Sequence, residues 1–501
     1  MADLRKLQNG SDVRGIAVEG VEGEHVNLTA DAVNRIAQAY AIWLAKRLKK
    51  EPKDLVIGVG HDSRITADAL KSAAFAGMCG QGVSCRDCGL VSTPSMFMTT
   101  VFPEFLFDGA VMITASHLPF NRNGMKFFTR EGGLEHEDIA EILDLAGSLD
   151  VCDGEGAAKS VCSLTVYTAH LRDKIKSGVA AEDYEHPLKG LKVVVDAGNG
   201  AGGFFAEQVL KPLGADIGGS QFLEPDGMFP NHIPNPENKK AMEAIKSAVL
   251  GSHADLGLIF DTDVDRMSAV LPDGAQINRD AIIAMIASVL SEEHPGETVV
   301  TDSVTSDRLQ DFLENRLGMK QHRFKRGYKN VINEAIRLNK EGVMTPLAIE
   351  TSGHGALKEN YFLDDGAYLA VKLLIAAARA AKDGKKLASY LEGFREGFDE
   401  REFRFEIAGE DYRSYGQQAL ETAGERAKAM GYPAVPNNYE GVRISFHDEH
   451  IRGWLLFRMS LHDPVIALNM EGERPGDCGR MIDAVKQWFA GFDRVDISCL
   501  N

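Results

Sequence analysis

The sequence predicts an α/β protein: three similar mixed-sheet α/β domains in series plus a C-terminal α+β domain. Three observations lead there. Short apolar runs recur that end on an acid or a glycine turn, stretches of helical period separate them, and the pattern changes character from about residue 391.

The strand candidates are residues 55–60 (LVIGVG) before His61-Asp62-Ser63-Arg64, 191–195 (LKVVV) before DAGNG, 256–260 (LGLIF) before DTDVDR, and 298–301 (TVVT) before Asp302-Ser303. Apolar runs of this length bounded by turn signals read as buried strands. Helical periods occupy residues 30–49, 66–82, 204–213, 239–250, 281–290 and 367–381. This alternation predicts α/β layers with largely parallel pairing. Ligands in such sheets sit off the carboxyl ends of strands, where these acids and glycines fall. Beyond residue 391, strands at 404–407, 441–446, 454–459 and 465–470 accompany helices near 413–430 and 479–490, an α+β pattern. Residues 155–160 (EGAAKS) read as a connector, and 383–386 (DGKK) precede the change of character. The expected domains are therefore 1–158, 159–272, 273–390 and 391–501.

Acidic residues number 73 against 55 Lys and Arg, a net charge of −18, with 44% hydrophobic residues. That excludes collagen-like, disordered and disulfide-scaffold classes. It also argues against nucleic acid or an anionic membrane as partner, since both call for a basic face. An anionic ligand has to be held by local Arg and Lys against the global field. The longest apolar run, residues 281–290, is well short of the ~20 residues that span a bilayer. The N-terminal MADLRKLQNGSD carries no signal-peptide pattern. Seven scattered cysteines suit a reducing compartment, and Cys85 and Cys88 read as buried or idle thiols. The expected location is cytoplasmic.

Four segments carry chemistry. In residues 111–128 (VMITASHLPFNRNGMKFF) a strand delivers Thr114-Ala115-Ser116-His117 into a loop, and Asn123-Gly124 reads as a tight turn into a second strand. Ser116 beside His117 is a candidate nucleophile, or a turn serine bonding local backbone. In Asp261-Thr262-Asp263-Val264-Asp265-Arg266, alternate residues of an extended segment project to one side. Three converging carboxylates repel one another unless a cation sits between them, and oxygen-only ligation suits Mg²⁺. Arg266 is placed to grip a phosphate. Glu350, Ser352 and His354 around Gly353 form a donor–acceptor set suited to sugar hydroxyls, although polar loops of this composition are common. Arg458 and Ser460 end a strand of the last domain, either holding a phosphate or lying on an exposed strand rim.

Together and in order, these segments resemble the α-D-phosphohexomutase superfamily, and within it the phosphomannomutase/phosphoglucomutase branch. TASHLP matches its phosphoserine loop, DTDVDR its metal loop and ETSGH its sugar loop. SDVRG, HDSR, VVVDAGNGAGG, EPDGMFPNHIPNPE and FLDDGAY match as well, so the resemblance runs from about residue 9 to 470. It implies Ser116 as the phosphorylated serine, with Asp261, Asp263, Asp265 and the serine phosphate as Mg²⁺ ligands. It implies Lys126 near the transferring phosphoryl group, Arg14 as an active-site arginine, and Glu350, Ser352 and His354 as the sugar-reading triad. Departures fall on phosphate anchoring. The family's RxSGTEP loop is here Arg458-Met459-Ser460-Leu461-His462-Asp463-Pro464, DSVTS lacks a lysine many relatives carry, and Tyr328 stands where they often have histidine. Leu118 replaces a usual asparagine.

The implied activity interconverts hexose 1-phosphate and hexose 6-phosphate, of mannose and/or glucose, through a glucose or mannose 1,6-bisphosphate that turns around in a central cleft. His117 or Lys126 is the expected general base. Phosphoglucosamine mutase is the near alternative, and the chain is expected as a monomer or homodimer. Two readings come from other classes. IFDTDVD resembles an aspartyl-phosphatase signature with Asp261 as nucleophile, Asp263 as general acid and Asp364-Asp365 as later metal carboxylates, and the altered 458–464 loop leaves a non-catalytic sugar-phosphate-binding protein open.

Overall fold

Strand Gly109–Ile113 is buried at every position, and its Val111 and Ile113 share one hydrophobic core with apolar residues of 32–45. In the computed structural model, which describes residues 3–154, 158–460 and 463–501, it lies at the middle of the first sheet. The chain divides into two compact units, Met1–Asn278 with Ser352–Ser389, and Arg279–Thr351 with Tyr390–Asn501.

In the first unit, Gly109–Ile113 runs parallel to Val56–His61, which is parallel to Ser84–Leu90. On its other side it pairs antiparallel with Arg122–Thr129, which pairs antiparallel with Asp12–Ile16. The sheet is thus mixed, where strand–helix alternation alone predicts largely parallel pairing. The Asn123-Gly124 pair is also not a turn, for it lies inside strand Arg122–Thr129. A Cβ on Gly124 would stand 2.3 Å from the Val13 carbonyl oxygen and 2.7 Å from that of Thr114, so close approach rather than turn geometry calls for glycine. Helix Ala30–Leu48 starts where Thr29 accepts the Ala32 amide at 3.2 Å. Helix Ala67–Gly80 packs on it so closely that a Cβ on Gly77 would meet the Asn34 carbonyl oxygen at 2.3 Å.

A second sheet in this unit pairs Val193–Asp196 parallel with Leu256–Phe260, and the latter antiparallel with Met267–Val270. Residues 204–213, expected as one α-helix, form a π-helical Phe205–Leu210 followed by a 3₁₀ turn Lys211–Leu213, where Pro212 lacks the amide an α-helix needs. Helix Gly366–Lys382 is capped by Asp365, which accepts the Tyr368 amide at 2.9 Å.

In the second unit, Thr298–Thr301 lies between Lys320–Arg323 and Leu347–Ile349, all parallel. The C-terminal sheet is antiparallel throughout, with Val442–His447, Arg452–Met459, Val465–Gly472 and Asp399–Ile407 as successive neighbours. Helices Tyr412–Ala429 and Asp477–Trp488 bury against it a core of Trp488, Phe405, Phe446 and Phe457. The expected change of fold class near residue 391 is present. Leu461, His462 and residues 155–157 of the expected connector lie outside the described residues. Among the described residues, no helix is long and apolar enough to cross a membrane.

Candidate active site

Two strand ends of the first unit build the site. Strand Gly109–Ile113 ends at Thr114, whose hydroxyl donates to Asp62 at 2.6 Å and accepts the Ser116 amide at 2.9 Å. Ser116 holds a left-handed backbone (φ +52°), which costs a non-glycine residue about 1–2 kcal/mol. That conformation aims its Oγ at Asp261, donating at 2.9 Å to a carboxylate 145 residues away. His117 Nδ1 is 3.4 Å from the same oxygen.

Strand Leu256–Phe260 delivers Asp261 through Arg266. The segment is a turn rather than an extended run, with Val264 at φ +66°. Its three carboxylates still converge, their oxygens within 4.8 Å of one another, because the turn curls them inward instead of alternating them on one face. All three are fully buried. Asp261 is pushed well above the ordinary carboxylate range by burial and by Asp265 and Asp263. Asp265 is held below it, since Lys126, His354 and Arg266 outweigh its burial. Lys126 Nζ pairs with Asp265 and lies 3.4 Å from Asp263.

The donor set fits a hard divalent cation. Every donor is a carboxylate oxygen, and Asp263 Oδ1 and Asp265 Oδ1 are buried without a hydrogen-bond partner among the described residues. Arg266 reaches Glu237 at 3.7 Å and Asp261 at 3.9 Å. Burial, with the charges of Arg266 and Arg14, lowers the His117 imidazole to about 2, so it is neutral. Arg14 itself is anchored by Asp12 at 2.9 Å.

The sugar-loop residues divide between the units. Ser352 and His354 belong to the first, where the Met267 amide donates to the Gly353 carbonyl at 3.2 Å, tying this loop to the end of the carboxylate turn. Gly353 has φ +90°, and a Cβ there would stand 2.5 Å from the Met267 oxygen. His354 Nδ1 lies 2.5 Å from Asp364 and 3.8 Å from Asp265. The first unit therefore gathers Ser116, His117, Lys126, Arg14, Asp261, Asp263, Asp265, Arg266, Ser352 and His354.

Glu350, Arg458 and Ser460 belong to the second unit. There buried Glu350 accepts the Gly327 amide at 2.6 Å. Burial lowers the Arg458 guanidinium from its usual range, against the pull of Glu440. Ser460 Oγ accepts the Asp463 amide at 3.2 Å, a turn-capping role. Asp302, at the end of strand Thr298–Thr301, is raised to about 6 by burial and accepts the Thr351 hydroxyl at 2.8 Å.

One supporting residue, Thr93, has no signal in the sequence. Thr93 donates its hydroxyl to Asp263 at 2.5 Å and its amide to the Asp263 carbonyl at 2.8 Å. It sits in a Ser-Thr-Pro helix start with no chemical signature. Asp364, which the aspartyl-phosphatase reading takes with Asp365 as a later metal carboxylate, abuts His354, a partner that sequence spacing does not assign it.

The chain matches the phosphoglucomutase/phosphomannomutase alpha/beta/alpha domain I at residues 5–150, domain II at 166–274 and domain III at 278–396. It is 28% identical over 476 residues to a phosphomannomutase/phosphoglucomutase of Pseudomonas putida, covering 95% of this chain and 93% of that one. A phosphoglucosamine mutase of Acetivibrio thermocellus is 30% identical over 399 residues, 78% of this chain and 82% of the relative. A phosphoglucomutase/phosphomannomutase family protein of Burkholderia thailandensis, known from its crystal structure, superposes with a TM-score of 0.76 at 25% identity, covering 96% of this chain and 97% of that one. With a serine hydroxyl set against a triple-carboxylate turn and three consecutive domain matches, this chain belongs to the phosphoglucomutase/phosphomannomutase family.

Proposed function

We propose that this chain is a phosphohexomutase that interconverts the 1- and 6-phosphates of mannose and/or glucose, with Ser116 as its phosphate carrier. The observation that carries the reading is the Ser116 Oγ 2.9 Å from Asp261, with Lys126 and two further carboxylates beside it. In the transfer, a free sugar hydroxyl forms a bond to the phosphorus of phosphorylated Ser116 as the Oγ–P bond breaks. The hydroxyl proton passes to the neutral His117 imidazole, because Lys126 is held as an ammonium by Asp265 and Asp263, and the product is a hexose 1,6-bisphosphate. After reorientation, the other phosphoryl group returns to Ser116 Oγ and the isomeric monophosphate leaves. The bisphosphate also serves as the primer that loads the serine.

Asp261, Asp263 and Asp265, with an oxygen of the serine phosphate, would hold Mg²⁺, which neutralises charge in a loose phosphoryl transition state. Lys126 offsets two of the carboxylates, and the Ser116 loop fixes the donor oxygen, so positioning and electrostatics carry the catalysis. Arg14 and Arg266 supply positive charge to the phosphoryl group. Glu350, Ser352 and His354 read the sugar hydroxyls, and Arg458 with Ser460 takes the distal phosphate. Segments 1–158, 159–272, 273–390 and 391–501 thus supply donor, metal, sugar contacts and phosphate anchor respectively.

Ser116→Ala is expected to abolish both phosphoenzyme and mutase turnover while leaving the melting temperature near that of the parent. Phosphopeptide mapping after incubation with a hexose 1,6-bisphosphate checks the carrier directly. An acid-stable label on Ser116 supports the reading, and a labile acyl phosphate on Asp261 would replace it with aspartyl-phosphatase chemistry. A coupled assay across mannose, glucose and glucosamine 1-phosphates ranks the substrates, the last being the activity named for the Acetivibrio relative.

A further inference from the structure

The left-handed conformation of Ser116 has to be held by its surroundings, and two sequence segments without a chemical role do so. Arg64, from HDSR, is fully buried. Its Nη2 donates to the carbonyls of Ser116 and Leu118, both at 2.5 Å, and its Nη1 to those of Pro119 at 2.7 Å and Arg122 at 2.8 Å. Thus one planar guanidinium gathers four carbonyls of a single loop, a task that needs a rigid fork of donors. Asp62 completes the frame, accepting the Arg64 amide at 2.9 Å and the Thr114 hydroxyl at 2.6 Å, while Thr114 accepts the Ser116 amide. Asp62 also lies 3.3 Å from Arg64 Nε.

The opposite side is closed by EPDGMFPN. The Phe229 ring lies 5.3 Å from the guanidinium carbon, and Gly227 approaches so closely that a Cβ there would stand 2.5 Å from the Ile65 nitrogen and 2.8 Å from the Arg64 Cα. The first strand-end loop of one domain and a surface loop of the next therefore close on a single side chain, within the first unit.

We propose that Arg64 is the positioning residue of the phosphate carrier, with Phe229 and Gly227 as its backing. It sets where Ser116 Oγ stands relative to the carboxylate turn, acting through the loop carbonyls it holds. The proposal rests on Ser116 being the carrier, so the experiment reads the two separately. The parent enzyme, Ser116→Ala, Arg64→Ala, Arg64→Lys and Phe229→Ala are compared for label on residue 116 from a hexose bisphosphate, kcat, KM and melting temperature. Absence of label on the parent overturns the carrier reading.

Given label on the parent, Arg64→Ala is expected to lose about 100-fold in kcat, the scale of an ångström of misplacement, with KM little changed. Millimolar guanidinium ion is expected to restore part of that rate by filling the vacated fork. Arg64→Lys is expected to stay impaired, because an ammonium cannot span four carbonyls. Phe229→Ala keeps every hydrogen bond and is expected to lose less kcat, again at constant KM. It decides the matter should the Arg64 variants not fold. Unchanged kcat in Arg64→Lys or Phe229→Ala overturns the proposal. So does an Arg64→Ala variant whose lost rate follows lowered stability and does not respond to guanidinium.

Discussion

Lys126 lies among three buried carboxylates, paired with Asp265 and 3.4 Å from Asp263. Removing one partner of a buried charge cluster leaves uncompensated charge, at a cost of about 3–5 kcal/mol. Lys126→Met is therefore expected to melt well below the parent in magnesium-free buffer. Added magnesium should narrow that gap, and scanning fluorimetry with and without the ion measures both effects. An equal deficit in the two buffers would mean that the carboxylates do not share a cation site. Gly353 is a second point of leverage. Its φ of +90°, with the Met267 oxygen 2.5 Å from where a Cβ would stand, leaves no room for alanine. Gly353→Ala is expected to lose about 1–3 kcal/mol in urea unfolding, and to disturb His354, whose loop it anchors. At this scale the sequence exposed the residue types but not their partners. Ser116, Asp261 and Lys126 stood out from their motifs, whereas Thr93 and Arg64 are ordinary residues whose roles come from what they meet.

Helices and strands were legible where local pattern and tertiary demand agree. Strand Leu256–Phe260 and helix Ala30–Leu48 fall where apolar runs and helical period put them, since burial on one or both faces is what those patterns encode. The pattern misled at Asn123-Gly124, where a turn-forming pair sits in mid-strand because Val13 and Thr114 carbonyls approach the glycine. It misled again at the carboxylate turn, where period-2 reasoning reached the right convergence through the wrong backbone. Close packing of elements is testable in each unit. Gly77→Leu drives a side chain into the Asn34 carbonyl of helix Ala30–Leu48, and overpacking of this kind costs about 1–3 kcal/mol, read as a lower urea midpoint. Trp488→Ala empties the centre of the C-terminal core and is expected to cost about 3–5 kcal/mol. Calorimetry should place that loss in a transition of the second unit, leaving label on Ser116 intact at low temperature.

For the whole molecule, a net charge of −18 opposes an anionic substrate, so affinity rests on local cations. Magnesium is expected to stabilise the folded chain by linkage, about 2.7 kcal/mol at a hundredfold excess over its dissociation constant. Chelation should remove that gain, and Asp263→Asn should abolish the magnesium-dependent rise in melting temperature. The same rise in that variant and in the parent would place the ion elsewhere. Composition, apolar periodicity and the ordered motifs sufficed by themselves for the α/β class, the change of fold near residue 391, and the residue types of the site. Those signals are local, set by how a few neighbouring side chains partition between water and core. Tertiary structure alone decided which strands pair with which, that Ser116 takes a left-handed backbone, and that its hydroxyl meets Asp261 across 145 residues of chain. Such meetings depend on which strand ends the packed layers bring side by side, and no window of sequence contains both ends.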